Sequence, residues 1–490
     1  MTDESWARVR KKFDRLRNPR WPILAVLLAL IAALFAPGIA AAQPGRTYTI
    51  ATDITFAPFE YQNEKGEFVG IDIDLLNAIA KDQGFDVVIK PLGFDAALAA
   101  VQAGQVDGMI AGMSITEDRK KEFDFSDPYF ASNVQMAVLD SDNEIASYED
   151  LRGKRVAVKS GTQGADFAAS IADKYGFSIV TLADSATMYD EVRTGNSVAI
   201  FDDYPVLMYG IKQGNGFKAV GPQEAGNNYG FAVKRGQNPE LLQMFNAGLQ
   251  NLRDSGQYDE IVQTYVGADA TTSDNSIIGL IKSTYPQLLK GLWLTIVLSV
   301  VSIAIALVLG GIFGLCRVST NIFVRGIGTA YVDIFRGTPL LVQAFFIYFG
   351  IPAALDFQMS AFTAGVITLS LNAGAYMAEI VRGGVLSVDK GQMEASRSLG
   401  ISYMKTMRKV IMPQAVRTMI PSYINQFVIT LKDTSILSVI GLAELTQTGR
   451  IIIARNFQSF NMWLIIGVMY FIIIMALTKF SNRLEKRINK

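Results

Sequence analysis

The 490-residue sequence contains no histidine. That absence removes imidazole bases, His-ligated metals and a histidine pH switch. Its single cysteine, Cys316, excludes an internal disulfide and a thiolate metal cluster. The 45 Lys and Arg are balanced by 45 Asp and Glu, so the excess positive charge that a nucleic-acid partner requires is missing. No G-x-x-x-x-G-K-[ST] phosphate loop occurs anywhere in the chain. What remains abundant is apolar surface, at 50% hydrophobic residues.

Along the chain, the basic start (Arg8, Arg10, Lys11, Lys12, Arg15, Arg17, Arg20), the apolar run from Ile23 to Phe35 and the small residues Ala40 to Ala42 read as a signal sequence or anchor over 1–42 that exports the next domain. Residues 46–267 alternate short β-rich runs with helical patterns, the signature of a soluble α/β domain. Four of the runs, Tyr48 to Thr52, Val106 to Ala111, Arg155 to Val158 and Val198 to Phe201, end in polar residues. Ligands collect at the carboxyl ends of strands in open sheets, so these groups are expected to converge on one crevice. A polar linker occupies 268–286. Some ten flexible residues reach about 17 Å, which holds the exported domain over the membrane. Residues 287–490 form an all-α membrane domain of about five helices, at 288–316, 327–351, 360–381, 414–443 and 458–478. Starting outside, these spans leave the basic 382–417 loop and the Lys479 to Lys490 tail in the cytoplasm, as the positive-inside rule requires; Arg450 and Arg455 are the outer cations that fit it less well. Gly337 and Pro339 are expected to break the second span and Pro421 the fourth. The charges Glu379 with Arg382, and Lys432 with Asp433, are expected to face a path or each other.

The loop QMEASRSLGISYMKTMRKVIMP, residues 392–413, resembles the EAA coupling loop of ABC-importer permeases, through Glu394, Ala395, Gly400 and Pro413. Gly400 supplies a corner with positive φ, and Pro413 is expected to end the second short helix. The words FRGTPLLVQ, LNAGAYMAEIVRGGVLSV and LKDTSILSVIG again resemble polar amino-acid permeases. TDITFAPFEY, GIDIDLLNAIA, AGMSITEDRKKEFDFSDPY and VKSGTQG look like polar amino-acid binding proteins of the glutamine-binding kind. The resemblance implies a two-lobed, periplasmic-binding-protein-like (type II) domain closing by a hinge, with crossovers near 135–139 and 230–234.

A free amino acid carries a carboxylate and an ammonium into a dry cleft, and each needs an opposite charge. Arg119, expected in the first turn of a helix after Thr116, is the carboxylate candidate, with donors from Gly112 and Ser114. Asp203 is the ammonium candidate. Phe56 and Phe94 match the aromatic walls that the resemblance implies, and Thr162 and Gln163 belong to the same cleft. Asp53 accepts and Lys159 donates, which suits the two ends of a carboxamide and favours glutamine. Asp202 and Gln163 stand where the glutamine-binding pattern has His and Gly; an inward Asp202 would favour cationic ligands, so asparagine, glutamate and basic amino acids stay open.

The resemblance further implies a homodimeric permease, two copies of a separate ABC ATPase that uses ATP and Mg, and a bacterial cytoplasmic membrane with the binding domain outside. No cofactor, metal or nucleic acid is expected on this chain, and no catalysis. A ligand-gated channel or sensor is the competing class. It would place its pore between the lobes or carry a cytoplasmic output domain, and it has no use for a coupling loop. A clamshell enzyme would require a nucleophile and base pair, and none stands out.

Overall fold

The computed structural model describes residues 46–266, 276–355 and 357–488; the expected export segment and most of the expected linker's first half lie outside them. The first lobe begins with β1 (Thr47–Thr52), the hairpin β2 (Tyr61–Gln62) and β3 (Phe68–Val69), α1 (Ile71–Gln83), β4 (Asp86–Pro91), α2 (Phe94–Gln102), β5 (Gly108–Met109) and β6 (Phe123–Phe125). β7 (Phe130–Leu139) carries the chain into the second lobe, which holds β8 (Arg155–Lys159), α3 (Gln163–Tyr175), β9 (Ser178–Leu182), α4 (Ser185–Arg193), β10 (Ala199–Asp203) and α5 (Tyr204–Lys212). β11 (Phe217–Tyr229) returns it to β12 (Ala232–Lys234), α6 (Pro239–Ser255) and α7 (Gln257–Val266).

The two sheets run β4-β1-β5-β12-β6 and β11-β7-β10-β8-β9. In each, the parallel pairs (β1 with β4 and β5; β8 with β9 and β10) need crossovers, which the helices supply. The strands joining the lobes pair Phe130 with Tyr229 and Asn133 with Ala225, earlier in the chain than the expected 135–139 and 230–234. Helix α6 shows how the sequence seats a helix: Leu241, Phe245, Leu249 and Leu252 recur on one face, and all four are buried with Leu75, Leu76 and Ile79 of α1. Each such side chain contributes about 1.5–3 kcal/mol.

The membrane part comprises α8 (Ile277–Arg317), α9 (Ile322–Gly337), α10 (Leu340–Phe345), α11 (Ile351–Leu355), α12 (Ala361–Leu386), α13 (Lys390–Ser398), α14 (Tyr403–Thr406), α15 (Met412–Asp433), α16 (Leu445–Asn456) and α17 (Ser459–Ile488). Among the described residues, three helices are long and apolar enough to cross a bilayer, or up to five spans if each bent pair counts as one. Helix α8 already begins at Ile277, so the second half of the expected linker is helical. Its Gly310 and Gly314 face Met377 and Val381 of α12 so closely that a Cβ on either would collide with them. This is the small-residue contact by which membrane helices approach.

The second span breaks where expected, α9 and α10 meeting at 103°. Gln343 answers the freed carbonyls, its amide donating to Phe335 at 2.8 Å and Thr338 at 3.0 Å, while the Asn372 amide donates to Phe335 at 3.1 Å. Pro421 does not break the fourth span; it lies inside α15, which continues to Asp433. Pro413 likewise does not end a helix. It is the second residue of α15, and a π-helical turn over Met407–Ile411 precedes it. A wider turn gives the proline ring room against the carbonyl four residues back, so the helix runs on.

Both lobes touch the membrane part within the compact unit Gly45–Lys490. From the first lobe, the Gln105 side chain donates to the Phe357 carbonyl at 2.9 Å and accepts from the Met359 N–H at 3.0 Å. From the second, the Tyr189 ring meets Phe457 edge-on at 5.7 Å.

Candidate functional site

The carboxyl ends of β1, β8 and β10 meet between the lobes. Asp53 follows β1 and Lys159 ends β8, and their charges join across the cleft at 2.6 Å with both side chains almost wholly buried. Asp53 Oδ1 is held by its own loop, accepting from the Ile54 N–H at 2.6 Å and from the Thr55 N–H and hydroxyl at 3.1 Å. Lys159 Nζ sits 4.2 Å from the centre of the Phe56 ring and 6.0 Å from that of Phe94. Burial works to lower the Lys159 pKa, and Asp53 more than offsets it, leaving the ammonium above its usual value.

Arg119 spans the same gap. Its guanidinium donates to the Ser114 carbonyl at 3.0 Å in its own lobe and to the Gly161 carbonyl at 2.6 Å in the other, lying 5.3 Å from the centre of the Phe94 ring. Gly161 has φ +71°, and a Cβ there would strike Phe94, so only glycine lets this loop pass beneath the ring. Arg119 opens a single 3-10 turn, Arg119–Lys121, rather than a helix. A three-residue turn carries no helix macrodipole for the cation to oppose, and the two carbonyls with the Phe94 face are what place it. Asp203, at the end of β10, accepts from the Tyr229 hydroxyl through Oδ2, while its buried Oδ1 makes no hydrogen bond of normal geometry, with the Gly164 N–H close to the carboxylate. Burial first and Asp202 second push its pKa up to about 7. An unmet buried acceptor costs about 1–3 kcal/mol, a cost that a ligand ammonium would remove.

Other expected residues are engaged elsewhere. Asp202 points to the opposite face of β10, where the Tyr189 hydroxyl donates to Oδ2 at 2.8 Å and the Asp203 N–H to Oδ1 at 2.9 Å. Gln163 clamps α3 to β11, donating to the Asn227 carbonyl at 2.8 Å and accepting from the Asn227 N–H. Thr162 caps α3, accepting from the Ala165 N–H at 3.4 Å and donating to the Lys159 carbonyl at 2.9 Å. Gly112, expected to donate to a ligand, gives its N–H to Asp72 Oδ2 at 2.8 Å. Ser114 is buried and bridges to Tyr229.

Asp72 was not legible as part of this region. It also accepts from the Tyr129 hydroxyl at 2.8 Å, and burial pushes its pKa up to about 6. Glu60, facing it, is raised well above the carboxylate range by burial and then by the Asp72 charge. The only trace of this pair in the sequence is two acids inside the apolar words FEY and GIDID.

A pH dependence arises from Asp203. Unliganded, the folded state holds its proton more tightly than the unfolded chain, so this group's contribution to stability falls as pH rises from about 3.8 to about 7. An ammonium placed beside it favours the ionised form, so binding releases a proton. Between pH 7.5 and pH 6 the apparent Kd for the amino acid is expected to rise roughly eightfold. Calorimetry in two buffers of different ionisation enthalpy checks both the slope and the proton.

On the cytoplasmic side, α13 leads into Gly400 at φ +76°, the expected corner. Glu394 and Ala395 are exposed, and so are two large apolar side chains of the same loop, Leu399 at 79% and Met404 at 72%. Apolar tips so bare on a rigid loop suit a partner protein. Nearby, Glu379 is the hub for three arginines: Arg317, Arg382 at 3.0 Å and Arg336 at 3.8 Å.

Residues 48–268 match the bacterial extracellular solute-binding proteins, family 3, and residues 306–490 match the binding-protein-dependent transport system inner membrane component. The glutamine transport system permease protein GlnP of Escherichia coli is 43% identical over 203 residues, covering 41% of this chain and 93% of that protein. The arginine transport system permease protein ArtQ of Bacillus subtilis is 36% identical, covering 41% and 93%. The second substrate-binding domain of Lactococcus lactis GlnP, solved in an open conformation, is 47% identical, covering 47% of this chain and 99% of that one with a TM-score of 0.37. The chain thus belongs to the binding-protein-dependent transport system inner membrane components, as a multi-pass amino-acid ABC importer permease of the bacterial inner membrane with a family 3 solute-binding domain fused on its outer side.

Proposed function

We infer that the imported amino acid is glutamine. The observation that carries this reading is the pairing, in one cleft, of a carboxylate fixed as an acceptor (Asp53) with an ammonium that keeps donors to spare (Lys159), beside Arg119 and the buried Asp203 oxygen. Arg119 takes the α-carboxylate, Asp203 the α-ammonium, and Phe56 and Phe94 flank the side chain, whose amide inserts between Asp53 and Lys159. Glutamate would meet Asp53 as a like charge, and arginine would meet Lys159. Asp202, turned to Tyr189, adds no inward charge that would favour a cation. The glutamine transport named for the permease relative supports the same substrate.

Two permease copies enclose the path, and two copies of a separate ATPase, consuming ATP with Mg, dock on the 392–413 loops. Ligand across both lobes stabilises the closed form, which the outward-facing permease reads through its contacts with each lobe. Calorimetric titration of the full-length chain in detergent with glutamine, asparagine, glutamate, arginine and histidine tests the substrate. Tightest binding of glutamine, weakened by Lys159→Ala, is the expected result; tighter binding of arginine or histidine would replace it.

A further inference from the structure

Below the mouth of the cleft lies a chamber of about 500 Å³. That is a volume of the size that holds small ligands. The lobes line its upper side, with Asp53, Thr55 and Phe94 from the first and Asp184 from the second. The membrane part lines its lower side, with Phe349 from the turn after α10, Val439 from the turn after α15, and Gln447 and Arg450 from α16. Two of these lining residues carry buried polar atoms without a hydrogen-bond partner: Gln447 Oε1, on a residue only 5% exposed, and Arg450 Nε. One is an acceptor and the other a charged donor, the complement of an ammonium and a carboxylate.

The position of Arg450 is itself unexpected, because outer segments of a membrane protein ordinarily carry few cations. Helix α16 lies under the binding domain, as shown by Arg455, which donates to the Gln62 carbonyl at 3.4 Å, and by the Phe457 contact with Tyr189. A buried guanidinium nitrogen left without a partner is costly. It lies where both lobes and the membrane part line one chamber.

We propose that this chamber is a transit site for the free amino acid, with Arg450 taking the α-carboxylate released by Arg119 and the Gln447 carbonyl oxygen taking the ammonium released by Asp203. The inference rests on the amino-acid reading of the cleft. Asp53 and Phe94 line both the cleft and the chamber, so the two spaces share a wall that carries one carboxylate. The transit site needs only modest affinity, because the tethered cleft delivers the ligand at high effective concentration.

The test uses the full chain reconstituted with its ATPase subunit in proteoliposomes. Arg450→Gln is expected to leave the glutamine Kd within about twofold, because the cleft is untouched, while lowering the maximal rate of ATP-driven glutamine uptake at least roughly tenfold. Glutamine-stimulated ATP hydrolysis persists in this variant, and Arg450→Lys, which keeps the charge, recovers a substantial part of the uptake. Gln447→Leu shows the same split between binding and uptake. Parental uptake rates in both Arg450→Gln and Gln447→Leu overturn the transit site. So does loss of stimulated ATP hydrolysis together with uptake, since that makes Arg450 a docking contact. Failure of the parent chain to bind any free amino acid is a different result, and it overturns the reading of the cleft beneath this one.

Discussion

Arg119→Ala is expected to weaken glutamine binding by a factor on the order of 10³, with little effect on the fold. In the proposed site the ligand carboxylate enters a cleft walled by Phe56 and Phe94, where water cannot replace a lost counter-charge. Removing one partner of such a buried charge pair costs about 2–5 kcal/mol, and the upper part of that range corresponds to a thousandfold or more in Kd. Arg119→Lys keeps the charge and loses the planar fork that contacts both lobes, so it is expected to recover only part of the affinity. The alanine variant also loses the bond to the Gly161 carbonyl, a contact that holds the lobes together without ligand, so its unliganded form should be more open. Calorimetry on the full-length chain reads the affinity, and small-angle scattering of the domain in the unliganded variant reads the opening. Binding within tenfold of the parent would remove Arg119 from the site.

The second large effect is expected at the other end of the molecule. Gly400→Val should lower ATP-driven uptake by an order of magnitude or more while leaving glutamine affinity unchanged. The corner at φ +76° has open space around it, so the added side chain meets no neighbour; the penalty is purely that of a β-branched residue in the left-handed region. About 1–3 kcal/mol suffices to turn the loop away from the geometry that presents Glu394, Leu399 and Met404 together. Glu394→Lys reverses an exposed charge on the same helix and should act by the same route. Co-purification of the ATPase with each variant, set against uptake in proteoliposomes, reads the coupling. Normal uptake in both variants would take the ATPase contact away from this loop.

The two effects separate because they sit on different links between sequence and function. In the proposed reading Arg119 acts on affinity through desolvated electrostatics, whereas Gly400 acts on energy transfer through backbone conformation. Neither change touches the apolar core that α1 and α6 share, so both variants are expected to fold.

What the sequence determined by itself was local or additive. The runs of apolar residues placed the helices that are long and apolar enough to cross a bilayer, among the described residues three or up to five with each bent pair counted as one, because a bilayer demands length and composition whatever the neighbours are. The breaks at Gly337 and Pro339 and the corner at Gly400 were legible because glycine and proline act on their own dihedrals. The convergence of Asp53, Lys159 and Asp203 could be read from strand ends alone. Tertiary structure decided the rest. Proline at 413 stayed within a helix because a neighbouring π turn, not visible in a dipeptide, gives its ring room, and Pro421 lies inside the same helix without ending it. Asp202 and Asp203 are adjacent in sequence and face opposite sides of one strand, so only the packing of α4 and β11 assigned one to Tyr189 and the other to the cleft. Asp72 with Glu60, and Arg450 with Gln447, likewise take their meaning from partners far away in the chain, or from having none. Burial and the orientation of a polar side chain are properties of the assembled fold, and they separate a binding group from a structural one of the same type.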